Sequence, residues 1–79
     1  MQNFKNLEIN KKYQNYDKSI QGILISKDIV EPYQYDEFSH KYGYTMGRLC
    51  KSVWFQPTNN KYIETYYYEY SGGFTEIKN

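Results

Sequence analysis

Four consecutive turn-forming residues, Pro57-Thr58-Asn59-Asn60, most constrain what this chain can fold into. The segments on either side of them, 47–56 and 61–70, are rich in the aromatic and β-branched residues that favour strands. A turn at this position pairs Gln56 with Lys61, and this pairing sets the register of the two segments. The sequence therefore predicts an antiparallel hairpin formed by 47–56 and 61–70.

The cross-strand pairs in this register are mostly complementary. Arg48 lies opposite Glu69, and Ser52 lies opposite Thr65. The remaining pairs bring large side chains together: Trp54 with Ile63, Leu49 with Tyr68, Lys51 with Tyr66, and Phe55 with Tyr62. Each such contact contributes about 0.2–1 kcal/mol to a sheet. Val53 opposite Glu64 is the one poor pair.

The rest of the chain predicts a small α+β domain of 79 residues. The apolar stretch near 20–26 favours a strand, and a short final strand is expected at 74–77. Residues 36–43 predict one short helix, because Asp36 can cap it and Gly43 can end it. Residues 1–18 are polar and predict a loosely packed N-terminal arm. The chain contains no alanine, which argues against a bundle of helices.

An alternative interpretation concerns residues 35–53, whose spacing resembles a helix-turn-helix. In that motif Gly43 makes the turn and Thr45 caps a recognition helix. Arg48 and Lys51 would then face DNA. The poor helix formers that follow Lys51 depart from the pattern.

Charge and cysteine content limit the function. The net charge is only +1, which argues against a DNA mimic or a nucleic-acid coat. Residues 38–63 nevertheless contain no acid and four bases, which offer possible nucleic-acid contacts: Lys41, Arg48, Lys51 and Lys61. A single cysteine, the absence of a signal-like N-terminus and the lack of a long apolar run predict a cytoplasmic protein with no membrane contact.

No constellation of residues in the sequence indicates catalysis. His40 and Cys50 are the only histidine and cysteine, and nothing in their spacing places them in hydrogen-bond contact. A zinc site needs three or four ligands of these types. We therefore expect no catalytic residues, no metal and no cofactor.

Tyrosine is the most informative residue type. Eleven tyrosines are more than a domain of this size can bury, because each hydroxyl needs a hydrogen-bond partner. Exposed tyrosine and tryptophan are typical anchors of protein–protein contacts, and aromatic rings also stack on single-stranded nucleic acid. The residues predicted to bind a partner are Arg48, Lys51, Trp54, Tyr62, Tyr66, Tyr68 and Tyr70.

In size and composition, the chain resembles small proteins encoded by phages and mobile elements. Such proteins are poor in alanine, rich in lysine, asparagine, isoleucine and tyrosine, and often inhibit host defence nucleases, as anti-CRISPR proteins do. The resemblance implies a non-enzymatic inhibitor in the host cytosol that binds a protein or ribonucleoprotein complex. The alternative function is a small DNA-binding regulator that uses residues 35–53.

Overall fold

The computed structural model describes residues 1–30 and 47–78, which form one five-stranded antiparallel sheet. The strands are β1 (Lys12–Gln14), β2 (Gln21–Ile29), β3 (Leu49–Gln56), β4 (Lys61–Tyr68) and β5 (Thr75–Glu76). Their order across the sheet is β4-β3-β2-β1-β5. A single 3-10 turn at Phe4–Asn6 precedes the first strand.

The predicted hairpin is confirmed in its register. Strands β3 and β4 pair without interruption from Leu49 opposite Tyr68 to Gln56 opposite Lys61. The intervening turn ends at Asn60, whose φ of 58° lies in the left-handed region that asparagine tolerates well. Local turn chemistry and cross-strand pairing therefore agree here with the tertiary structure.

The strand predicted near 20–26 is present and extends to Ile29. Its pairing with β3 shifts between Leu24 and Ser26, which is the irregularity of a β-bulge. Gly22 lies against β3 so closely that a Cβ at this position would overlap the carbonyl oxygen of Phe55. This close approach explains why glycine stands in the middle of a strand.

The core lies on one face of the sheet and draws on the whole described chain. Its buried members are Phe4, Leu7, Tyr13, Ile20, Leu24, Cys50, Trp54 and Phe74. The rings of Trp54 and Phe74 are stacked, with centroids 6.0 Å apart and an interplanar angle of 5°. Residues 1–18, expected to form a loosely packed arm, thus supply three core side chains and strand β1.

The two ends of the described chain meet across this core. The amide of Gln2 donates to the carbonyl of Phe74 over 2.7 Å, and the amide of Phe74 donates back over 3.2 Å. The amide of Phe4 donates to the carbonyl of Ser71 over 2.7 Å. The final strand predicted at 74–77 is the short β5, which pairs with β1.

Two predictions about fold require correction. The α+β class is wrong, because residues 1–30 and 47–78 form a sheet with one 3-10 turn and no α-helix. The recognition helix of the helix-turn-helix interpretation is also wrong for residues 49–53, which belong to β3 and pair on both sides. The helix predicted at 36–43 lies outside the described residues. In the described ranges, no helix is long and apolar enough to cross a membrane.

Candidate functional site

Strands β3 and β4 expose one face of the sheet while burying the other. Along β3, Cys50, Ser52 and Trp54 are buried, whereas the residues between them are only half-buried. This alternation follows from the two-residue period of a strand. We define the open face as the side chains that point away from the core on these two strands: Leu49, Lys51, Val53, Phe55, Tyr62, Glu64, Tyr66 and Tyr68.

Aromatic rings dominate the open face. Tyr62 is 68% exposed and Tyr66 is 51% exposed, while Tyr68 is half-buried. The ring of Phe55 packs against that of Tyr62 with centroids 5.1 Å apart. Because these rings stand on two strands that pair with each other along their whole length, binding a partner would order few additional groups.

The charges on and beside the open face nearly cancel. Lys51 Nζ lies 3.3 Å from Glu64 Oε2, so the one base of the face is paired with its one acid. Asp28 of β2 lies opposite Lys51 and adds a second carboxylate. The open face is therefore aromatic and close to neutral, and it lacks the basic track that follows a phosphate backbone.

The structure brings together four of the seven residues predicted to bind a partner. Lys51, Tyr62, Tyr66 and Tyr68 all lie on the open face. Trp54 is 0% exposed and is part of the core, so a partner of the folded protein cannot reach it. The other two lie away from this face.

Arg48 and Tyr70 flank a buried carboxylate at the far end of the β3–β4 hairpin. Arg48 Nη2 lies 3.0 Å from Glu69 Oε2, and its backbone amide also donates to Glu69 Oε1 over 2.8 Å. The Lys5 ammonium lies 5.6 Å from the ring centroid of Tyr70. Hydrogen bonds from the Arg48 side chain, and then from its amide, lower the pKa of Glu69 from 4.5 to about 2. This cluster is an ion pair that ties Arg48 to the end of β4.

A small cavity of about 230 Å³ lies beside this cluster. Its lining includes Lys27, whose ammonium donates to the carbonyl of Lys5 over 2.8 Å, and Cys50. Burial raises the pKa of the Cys50 thiol, which leaves it protonated and weakly nucleophilic at neutral pH. His40, the other residue considered for catalysis, lies outside the described residues. Within the described ranges, no three acidic, cysteine or histidine side chains form a metal-binding group.

The bases predicted to contact nucleic acid are dispersed. Arg48 and Lys51 are both ion-paired with carboxylates, on different faces of the sheet. Lys61 is exposed at the start of β4, and Lys41 lies outside the described residues. No continuous basic surface joins the three described residues.

Sequence reasoning did not assign four residues of the open face to the candidate site: Leu49, Val53, Phe55 and Glu64. The first three share the open face because they alternate with the buried residues of β3. The signal was present in the register, which already placed Leu49 opposite Tyr68 and Phe55 opposite Tyr62. What the sequence lacked was a sign of which face carries the core, because both faces of β3 bear large apolar residues.

Comparison of the chain with models of protein families, with curated protein sequences and with solved structures finds no match to any of the three.

Proposed function

We propose that this protein acts by binding another protein through the open face of its sheet. The observation that carries the proposal is the pair of exposed rings, Tyr62 and Tyr66, on a sheet whose opposite face carries the buried core. Tyrosine rings on a rigid support supply a large contact area at a low cost in conformational entropy. Such residues are enriched among the anchors of protein interfaces.

The charges support a protein partner over a nucleic acid. Binding to a phosphate backbone draws its affinity from unpaired lysine and arginine side chains. On the open face Lys51 is engaged with Glu64, and Asp28 lies opposite it. A phosphate chain laid along these strands would therefore meet two carboxylates and one neutralised base.

The more specific expectation, a phage-encoded inhibitor of a host nuclease complex, remains a prediction that rests on size and composition. Such an inhibitor would use the open face to cover a surface of the nuclease complex, with Tyr62, Tyr66 and Tyr68 in contact with it. A DNA regulator of the helix-turn-helix type would need a helix at residues 49–53, which form a strand.

Affinity capture from a lysate of the source cells tests the proposal. Immobilised wild-type protein is compared with the double variant Tyr62→Ser/Tyr66→Ser, after nuclease treatment of the lysate. We expect the wild type to retain one protein in an amount that rises with the amount of lysate applied. The double variant lacks two anchor rings and should retain at least about tenfold less of that protein. Tyr16→Ser is the matched control, because Tyr16 is an exposed tyrosine outside β3 and β4.

Two further measurements test whether unfolding of the variants or binding to nucleic acid accounts for the result. Circular dichroism and a thermal melt establish that both variants are folded, which we expect because all three rings are solvent-exposed. A gel shift with single-stranded and duplex DNA at low and physiological salt addresses nucleic acid. Equal capture by the double variant and the wild type, or binding of DNA alone, would contradict the proposal.

A further inference from the structure

The outer edge of the sheet at β4 offers a second means of association. We propose that two copies of this chain pair along β4, antiparallel and about a twofold axis at Thr65. This pairing would join the two sheets into one sheet of twice the width. The inference does not require the proposed function, because the backbone edge of β4 makes the pairing and the open-face side chains only select its register.

Hydrogen bonding within the hairpin shows which backbone groups face outward. The Glu69 amide donates to the Arg48 carbonyl over 3.1 Å, so odd-numbered residues of β4 direct their backbone groups toward β3. In an antiparallel ladder the alternate residues direct theirs to the opposite side. The amides and carbonyls of Tyr62, Glu64 and Tyr66 therefore face outward. They make no hydrogen bond to any other part of the described chain.

This edge lacks three of the features that usually prevent strand addition, although it carries the charged residues Lys61 and Glu64. Edge strands are commonly protected by proline, by a bulge or by shortness. β4 has eight residues and no proline, and its pairing with β3 has no register shift. The other edge of the sheet is β5, which has only two residues and is protected by that length. The less protected edge is thus the long one.

Symmetry and charge select the register. To keep the open faces of both copies on the same side, residues of equal parity must oppose each other. Placing Glu64 on the axis would oppose two carboxylates, which destabilises a sheet. Placing Thr65 on the axis instead opposes Glu64 to Tyr66 and Tyr62 to Tyr68, each pair occurring twice.

A second copy therefore fits this edge without altering it. The same seven residues, 62–68, form both sides of the ladder, as a twofold interface requires. No like charges meet within them. The pairing also places the tyrosines of both open faces on one side of the seam, which doubles the aromatic surface that the proposed function uses.

Cysteine substitution tests the register directly. In Thr65→Cys the two new thiols lie opposite each other on the axis, at a separation that a disulfide can span. Tyr66→Cys is the matched control: it is more exposed, but its two copies are displaced along the strand and cannot bond. Under mild oxidation we expect Thr65→Cys to give covalent dimer at several times the yield of Tyr66→Cys. Cys50 is buried and common to both variants.

Charge substitutions at Tyr66 give an independent test by sedimentation velocity. In the dimer of Tyr66→Lys, the new lysine of each copy lies opposite Glu64 of the other copy. This variant should dimerise at least as tightly as the wild type. Tyr66→Glu sets carboxylates together twice, and should weaken dimerisation by about tenfold. Circular dichroism confirms that each variant is folded. A monomeric wild type at all concentrations, equal disulfide yields at positions 65 and 66, or equal dimerisation of the two charge variants would each overturn the proposal.

Discussion

At the residue scale, Ser52 satisfies the one polar atom of the central tryptophan. Trp54 Nε1 donates to Ser52 Oγ over 2.9 Å, and Ser52 Oγ donates to the carbonyl of Thr65 over 3.0 Å. Ser52 and Trp54 are both fully buried, so no water can replace the serine hydroxyl without a rearrangement of the core. This relay joins the core to the backbone of β4.

Replacing Ser52 by alanine should therefore destabilise the protein. The buried indole N–H loses its acceptor, and we expect the free energy of unfolding to fall by about 1–3 kcal/mol. Urea denaturation monitored by tryptophan fluorescence measures this change. Ser26→Ala is the control, because Ser26 is half-buried and the change should be within about 0.5 kcal/mol. Equal effects at both serines would contradict the role assigned to the relay.

Glu69 should make stability depend on acid pH. Hydrogen bonds from Arg48 hold the pKa of Glu69 at about 2 in the folded protein, below its ordinary value of 4.5. A carboxyl group whose pKa is lowered by folding stabilises the folded state above its unfolded pKa. That contribution is lost progressively as the pH falls from about 4.5 toward 2.

Urea midpoints measured between pH 6 and pH 2 test this dependence. We expect the midpoint of the wild type to fall across the acid range, and Glu69→Gln to remove part of that fall. Glu8→Gln is a suitable control, because Glu8 is exposed and its pKa is lowered only by a surface contact with Lys11. An unchanged acid slope in Glu69→Gln would be inconsistent with the ion pair.

At the element scale, adjacent tyrosines of β4 have opposite roles. Tyr67 points to the core, where its ring lies 5.4 Å from that of Phe4 and 5.1 Å from that of Phe74. Tyr66 points to the open face and is 51% exposed. One residue step thus separates a packing side chain from a candidate binding side chain.

Alanine substitution should separate these roles. We expect Tyr67→Ala to lower the free energy of unfolding by about 2–4 kcal/mol, since it leaves a cavity between two phenylalanines. Tyr66→Ala should change it by less than about 1 kcal/mol, since it removes only half-exposed contacts. Chemical denaturation of the two variants measures the difference. Comparable losses would show that the open face is packed against another part of the molecule.

The hairpin could be predicted from the sequence because the forces that specify it are local. The turn Pro57-Thr58-Asn59-Asn60 joins β3 directly to β4 and sets their register, and the pair Arg48–Glu69 follows from that register. The bulge in β2 depends on distant contacts with β3, and no local signal marks it. The α+β class was wrong because it rested on the short segment 36–43, which lies outside the described residues, whereas the described residues form a sheet.

The candidate site was predictable only in part. The alternation along β4 already separated Tyr62, Tyr66 and Tyr68 from Tyr67. Trp54 could not be assigned, because tryptophan serves equally well as a core residue and as an interface anchor. Its burial depends on Phe74, which stacks on it from the other end of the chain.

At the scale of the whole molecule, long-range contacts decide which face of the sheet stays open. One face of the hairpin is covered by Phe4 and Leu7 from the N-terminal segment and by Phe74, which immediately precedes β5. The first and last described segments are held there by the paired backbones of Gln2 and Phe74. Within residues 1–30 and 47–78, no core residue covers the opposite face, whose tyrosines form the binding surface that we propose.

Site-specific photocrosslinking tests most directly whether the open face is the binding surface. A benzophenone amino acid is placed singly at Tyr62 and Tyr66 on the open face, and at the exposed Tyr16 outside β3 and β4. After irradiation in the source cells, we predict crosslinks to one common protein from positions 62 and 66 and none from position 16. Crosslinks to a protein from position 16, with none from 62 and 66, would contradict the account.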